Sequence, residues 1–595
     1  MPIKSRLLGG ACLAVWALMP GLAQAQSNTD PDQLDRMQRQ MEQLQQQIKS
    51  LKNEMSDAKK KQAAEAQAAQ AAGAATINPQ AVRGAYGADI SSRAPIVKAP
   101  TFMDSIKITP SGFIEAAGIW RNRNEVADVG SDFNTGIPFP ISPLYHENES
   151  RFSARQSRLA VTAQANISQW QLIQGYFEMD FLGAATTANS RESNSYTPRL
   201  RQGFVNYDDN FNGWHVLAGQ AWSLVTQNTV GITPRKENIP LTIDAQYVVG
   251  FNWTRNAQFR VVKDFGPALS IGVSAESPQV IFPGNTTTSV DGISINDVNT
   301  GLGSGLMNTV TSYSTDTIPD FVEKVAWDPG WGHYEVLGLQ RFFTDRVQDC
   351  TTPVTTALAC PTAGATPGTS SLLLGSASNK TRDGWGVGGS ALLPVWPKFI
   401  DLQGSVLYGQ GIGRYGSGQL PDVTIGPDGS LQPLTTLQGL LGAIVHVTPD
   451  LDLYGYAGYE HVDANYWENA NGIKGQNIGY GNPLYTDAAC NTENFGGPFA
   501  SSTATNNPVT ISEGVGSCSV NTKTLTELTG GFWYTWYRGP WGRLVSGMQF
   551  EYIHRDVYDA LGTIAAVKAT GAPALSAITP STDIGIFMTS LRFYF

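Results

Sequence analysis

Arginines recur in this sequence where alternation can turn them all to one side. Arg158 stands in QSRLAVTAQ, where Leu159, Val161 and Ala163 share the opposite parity; Arg199 and Arg201 flank Leu200, and Arg260 lies between Phe259 and Val261. Guanidinium groups repeated along a wall present planar forks of N–H donors that match carboxylates. Such a ladder attracts small anions and passes them from site to site, provided no site holds them too tightly. Glu178 and Asp180 alternate with Phe177, Met179 and Phe181 in the same way, so the competing role of the arginines is to balance these acids and stiffen the wall. An arginine facing hydrocarbon costs about 2 to 4 kcal/mol at mid-bilayer, and a carboxylate in a dry core is also costly, so both signs belong on a wet inner face.

Chemistry of other kinds finds little support. The histidines His146, His215, His333, His446, His461 and His554 form no HExxH pair, and no serine sits in a GxSxG elbow. Catalysis, a cofactor and a bound metal are therefore not expected. The formal charge of −10, with no basic stripe, argues against nucleic acid as a partner.

The elements that must position the arginines are strands. The chain has 62 glycines and only 15% charged residues, and its mature part has no run of apolar residues long enough for a membrane helix. Its last stretch, DIGIFMTSLRFYF, puts Phe587, Thr589, Leu591, Phe593 and Phe595 on one face and Met588, Ser590, Arg592 and Tyr594 on the other. An aromatic final residue with nothing after it to cover the edge suits the closing strand of a barrel in lipid. Gln171 to Leu182 alternates likewise, as do the stretches from Leu269 and from Leu451. Seven short turn-like links, from Asn166–Gln169 to Arg538–Gly542, alternate with eight long ones. The fold class expected is all-β, a transmembrane antiparallel barrel of about sixteen strands over 105–595, with short periplasmic turns and long outer loops. A barrel of that size leaves a watery lumen, so one loop must fold inward if the pore is to discriminate. The third long link, 224–254, is the candidate, because Pro234, Arg235, Lys236, Glu237 and Pro240 punctuate a polar stretch.

Ahead of the barrel, Lys4 and Arg6 precede an apolar stretch and Ala23-Gln24-Ala25, which marks residues 1–25 as a cleaved signal peptide that takes Cys12 with it. Leu34, Met37, Met41, Leu44, Ile48, Leu51 and Met55 then recur at spacings of three and four with polar residues on every other face. That narrow seam predicts a periplasmic coiled coil within 26–75, which needs partner chains, and 76–104 reads as a linker. An oxidising compartment allows Cys350 to pair with Cys360 and Cys490 with Cys518, each stapling one long loop; two other connectivities are open.

Taken together, the heptad segment followed by SGFIEAAGIW, QSRLAVTAQ, YFEMDFLG, RLRQGFVNY, LAGQAWSL and RNAQFRV resembles the DcaP-like trimeric outer-membrane porins of Gram-negative bacteria. The likeness is carried by the heptads and the first half of the barrel. It implies a homotrimer of 16-stranded barrels that takes up small anionic solutes such as dicarboxylates. It also implies that Arg158, Arg199, Arg201, Gln258 and Arg260 line the pore, with Gln220 and Trp222 near its constriction. Glu178 and Asp180 depart from a purely basic pore. Two other functions compete: a carbohydrate porin, for which the many Trp and Tyr could form an aromatic slide, and a tether in which the coiled coil grips peptidoglycan.

Overall fold

The computed structural model describes residues 106–183, 197–283, 289–290, 293–296, 313–348, 377–426, 429–466, 479–482, 490–491, 493, 518, 520–559 and 580–595. The signal segment, the heptad seam, the linker, and Cys350 and Cys360 lie outside them.

Sixteen antiparallel strands close into one barrel. They are β1 (Ile106–Arg121), β2 (Arg158–Asn166), β3 (Gln171–Gly183), β4 (Thr197–Asp209), β5 (Trp214–Trp222), β6 (Arg255–Asp264), β7 (Leu269–Glu276) and β8 (Asp320–Trp327). The second half comprises β9 (His333–Gln348), β10 (Ala377–Trp396), β11 (Ile400–Gln410), β12 (Thr435–Thr448), β13 (Leu451–Val462), β14 (Thr522–Gly539), β15 (Gly542–Val557) and β16 (Ser581–Tyr594). Each strand pairs with the next, and β16 returns to β1 from Phe113↔Tyr594 to Arg121↔Ile586, so the sheet has no free edge. The short links at 167–170, 210–213, 265–268, 328–332, 397–399, 449–450 and 540–541 all fall at one end. The strand ends at the other are joined by the long links, numbered here 1 (122–157), 2 (184–196), 3 (223–254), 4 (277–319), 5 (349–376), 6 (411–434), 7 (463–521) and 8 (558–580).

Alternation sorts the side chains as the sequence predicts. On β3, Ile173 and Phe177 are 41% and 47% exposed on the outer face, whereas Glu178 and Asp180 are 5% and 1% exposed toward the lumen. The short-turn end carries a belt of outward aromatics, among them Trp170, Phe211, Trp214, Trp327, Trp331, Trp396, Trp536 and Trp541. Amphipathic rings of this kind settle at a membrane–water boundary, and the apolar band between the two rims is suited to hydrocarbon.

Candidate functional site

The lumen is crossed by loop 3 and narrowed by loops 1 and 6. Loop 3 leaves β5, runs across to the opposite wall and returns to β6. The N–H of Asn228 donates to Glu335 Oε1 at 2.9 Å, and that of Gly231 to Asp328 Oδ2 at 2.9 Å. On the far wall, the N–H groups of Leu241, Ile243, Val249 and Gly250 donate to Tyr456 Oη (2.9 Å), Gln549 Oε1 (2.6 Å), Glu527 Oε2 (2.7 Å) and Glu460 Oε1 (2.8 Å). Each of these peptide groups would be costly if buried without a partner, so the wall supplies the acceptors that a sheet or helix normally would.

Close approach also requires particular residues. Gly250 has φ +81°, and a Cβ there would lie 1.9 Å from Gly439 O; a Cβ on Gly458 would lie 1.9 Å from Val249 O. Gly250→Ala should therefore lift loop 3 from β12 and β13 at a cost of about 1 to 3 kcal/mol. Single-channel conductance of the refolded protein should rise; an unchanged conductance would mean that the loop absorbs the methyl group elsewhere.

Apolar side chains from all three loops pack into one core. Val129, Phe133 and Ile137 of loop 1 meet Leu241, Ile243, Val248 and Phe251 of loop 3, together with Leu420 and Leu434 of loop 6. Each fully buried side chain of this size contributes about 1.5 to 3 kcal/mol. Loop 6 is latched to the wall by Arg341, wholly buried on β9, which pairs with Asp320 (3.1 Å) and with Asp422 of the loop (2.6 Å). Loop 1 is gathered by Arg121 at the end of β1, which donates to Glu149 Oε2 at 3.1 Å, Ser131 Oγ at 3.0 Å and the carbonyl oxygens of Ala127 and Asp128. Cys490 and Cys518 are joined by a disulfide, and Cys490 packs against Phe139 of loop 1 and Val557.

Glu125 of loop 1 is held 3.4 Å from Arg121, yet its burial outweighs that attraction and pushes the carboxyl up from 4.5 to about 7. A carboxyl raised on folding favours the folded seat while protonated; that contribution is whole below the unfolded value and is lost as pH rises through 7. Loop 1 should therefore be held more firmly at about pH 5 than at about pH 9. Hydrogen exchange over 124–137, corrected for intrinsic rates, would show greater protection at the lower pH, and Glu125→Gln should abolish the difference.

The arginines occupy the wall from β2 to β6. Arg201 donates from Nε to Glu178 Oε1 at 2.6 Å and from Nη1 to Asp180 Oδ2 at 2.8 Å. Arg199 grips Asp180 with a two-pronged fork at 3.0 and 2.8 Å, and Arg158 Nε lies 3.8 Å from Glu178 Oε1. A β-bulge at Arg201, between the pairs Glu178↔Gln202 and Met179↔Leu200, turns Arg201 and Gln202 inward in succession. Arg260 faces inward too, but it bonds Gln258 Oε1 and the carbonyl of Trp222, while Gln258 Nε2 bonds the carbonyls of Ala221 and Trp222. Both thus brace the start of loop 3.

Two residues are placed differently from the sequence expectation. Gln220 shares the outward parity of Trp214 and Ala218, because the β4–β5 ladder stops at Gly203↔Gln220; its Nε2 donates to the open carbonyls of Leu200 and Arg201 instead of reaching the pore. Trp222 is 2% exposed and packs edge to face on Trp253 at 5.7 Å, so it is core of the loop hinge and not bare wall. At the turn of loop 3, the Arg235 guanidinium stacks 4.4 Å over the Tyr176 ring, and Lys236 is exposed. Sequence reasoning missed the roles of Arg121, Arg341 and Arg592 and the inward course of loops 1 and 6. Arg592 alone carried a visible signal, since it stands between Leu591 and Phe593 on the closing strand; it pairs with Glu115 at 2.9 Å.

No family model matches the chain, and no curated protein matches it. Among solved structures it is similar to the outer membrane channel DcaP of Acinetobacter baumannii, at 16% identity and a TM-score of 0.49, over 84% of this chain and 100% of that one. An anion-selective porin from Comamonas acidovorans is similar at 9% identity and a TM-score of 0.38, over 82% and 100% of the two chains. OprB of Pseudomonas putida is similar at 11% identity and a TM-score of 0.37, over 82% and 94%.

Proposed function

We propose that this chain is an outer-membrane porin through which small anionic solutes such as dicarboxylates diffuse passively. The observation that carries the reading is the unequal way loop 3 sits between the two walls. Its backbone N–H groups are bonded to Glu460, Glu527 and Gln549 on β13 to β15, so loop 3 covers the acidic wall. Toward the basic wall it reaches Arg201 through Gln246 at 3.4 Å and Thr162 through Arg235 at 3.4 Å. A solute passing loop 3 therefore travels along Arg158, Arg199 and Arg201, whose positive charge exceeds that of Glu178 and Asp180.

The outward apolar band and the aromatic belt support a site in the outer membrane; the heptad seam and the family resemblance are the grounds for placing the N-terminal segment in the periplasm and for three copies assembled through it or through the barrel wall. Contact of the heptads with peptidoglycan is a further part of this reading. Swelling of liposomes holding the full-length protein tests it. Swelling should be faster in a small dicarboxylate than in a neutral sugar of similar size, and equal or reversed rates would favour the carbohydrate porin. Crosslinking in native membranes should trap a trimer; a monomer only would remove the assembly from the proposal.

A further inference from the structure

We infer that Arg255 is an oxyanion-capture residue at the loop end of the channel, which deepens and rests on the anion-channel reading above. Arg255 opens β6, where loop 3 rejoins the wall, and is half-buried. Its guanidinium carbon lies 5.1 Å from the centre of the Trp222 ring and 5.2 Å from that of Trp253. Indoles hold a guanidinium by its face, while its N–H donors project from its edge. Among the described residues, no hydrogen bond or ion pair takes up those donors, and Nη1 is buried without a partner.

The neighbours differ in this respect. Arg199 and Arg201 are engaged with Asp180 and Glu178, and Arg260 is bonded to Gln258 and the Trp222 carbonyl. Arg201 alone among them also keeps one buried nitrogen, Nη2, without a partner. The positive charges of Arg199 and Arg201 act on Arg255, as do the negative charges of Glu178 and Asp180. Arg158, Arg199, Arg201 and Arg255 set against Glu178 and Asp180 leave a surplus of two positive charges, four minus two, in this corner of the lumen.

A guanidinium held between two indoles with N–H donors unpaired along its edge suits an anion that offers two oxygens side by side. A carboxylate does so in a plane, and a tetrahedral oxyanion such as phosphate does so along one edge; chloride offers a single point and gains no fork. Arg255 therefore gives oxyanions a resting place before the constriction, and the paired arginines below it supply the general preference for negative charge.

The test uses the full-length protein in a planar bilayer, carrying chloride current, with malonate or inorganic phosphate added on the loop side. Wild type should be blocked transiently. Arg255→Gln should raise the half-blocking concentration about tenfold, and Arg255→Lys, which keeps the charge without the fork, should fall between. Arg255→Lys keeps the charge and should keep the chloride reversal potential, whereas Arg255→Gln leaves a surplus of one positive charge and should lower the anion preference without reversing it. Block by malonate alone would restrict the site to planar carboxylates, and block by phosphate alone to tetrahedral oxyanions; either supports capture at Arg255. An unchanged half-blocking concentration in Arg255→Gln, with anion preference still present, would overturn the inference and leave the channel reading standing. Absence of anion preference in the wild type would remove both.

Discussion

Replacement of Glu460 by alanine should raise single-channel conductance several-fold and make the open current noisier. One carboxylate oxygen, Glu460 Oε1, accepts the N–H of Gly250 in loop 3 at 2.8 Å and that of Gly418 in loop 6 at 2.9 Å. Both amides lie in the packed region between the loops and β13. Losing their shared acceptor leaves two buried donors unsatisfied, at about 1 to 3 kcal/mol each. Two inward loops are thus loosened by one substitution at a wall position that no solute needs to touch. Glu460→Gln keeps an accepting oxygen in place and should have a smaller effect. Equal conductance in wild type and Glu460→Ala would show that apolar packing alone holds the loops.

The second large effect is expected at Arg201. Its guanidinium is 1% exposed and bonds two carboxylates that are themselves buried. Arg201→Met fills similar space but strands Glu178, whose nearest remaining cation is Arg158 at 3.8 Å. Removing one partner of a buried ion pair costs about 3 to 5 kcal/mol, whereas replacing both partners by apolar groups is often neutral. Urea unfolding of the refolded barrel should show the loss in Arg201→Met and much of its recovery in Arg201→Met combined with Glu178→Met. Recovery would identify the uncompensated carboxylate as the cause; a further loss in the double variant would point to Glu178 being held by Tyr176, which donates to it at 2.8 Å. Arg199→Glu offers the complementary test, because its side chain is 30% exposed and engages only one carboxylate among the described residues. It should weaken anion preference more than stability.

The barrel could be read from the sequence because every strand faces two unlike solvents. Phe177 and Glu178 are adjacent yet belong to hydrocarbon and to a polar lumen, so alternation alone assigns their faces. The rhythm of short and long links then fixes strand number and direction. The loops were legible only in part. Loop 3 sits by its backbone N–H groups, and peptide groups carry no sequence signature; Gly250, whose backbone conformation disfavours a side chain, and Gly458, where a Cβ would meet Val249, mark the contact. Loop 6 is tied by Asp422 to Arg341, partners separated by 81 residues, and nothing local to either residue announces the other. Gln220 was misread for a different reason. Motif likeness placed it on the pore, whereas its parity with Trp214 and the early end of the β4–β5 ladder give it a backbone-capping role.

The proposed open path follows the arginine wall because loop 3 covers the acidic one. Its most direct test is the reversal potential of the refolded full-length protein in a planar bilayer under a potassium chloride gradient. A potential of the sign that denotes anion preference is expected, reduced when Arg199 is changed to Glu. A potential denoting cation preference, or one unmoved by Arg199→Glu, would place the path along Glu460 and Glu527 and contradict it.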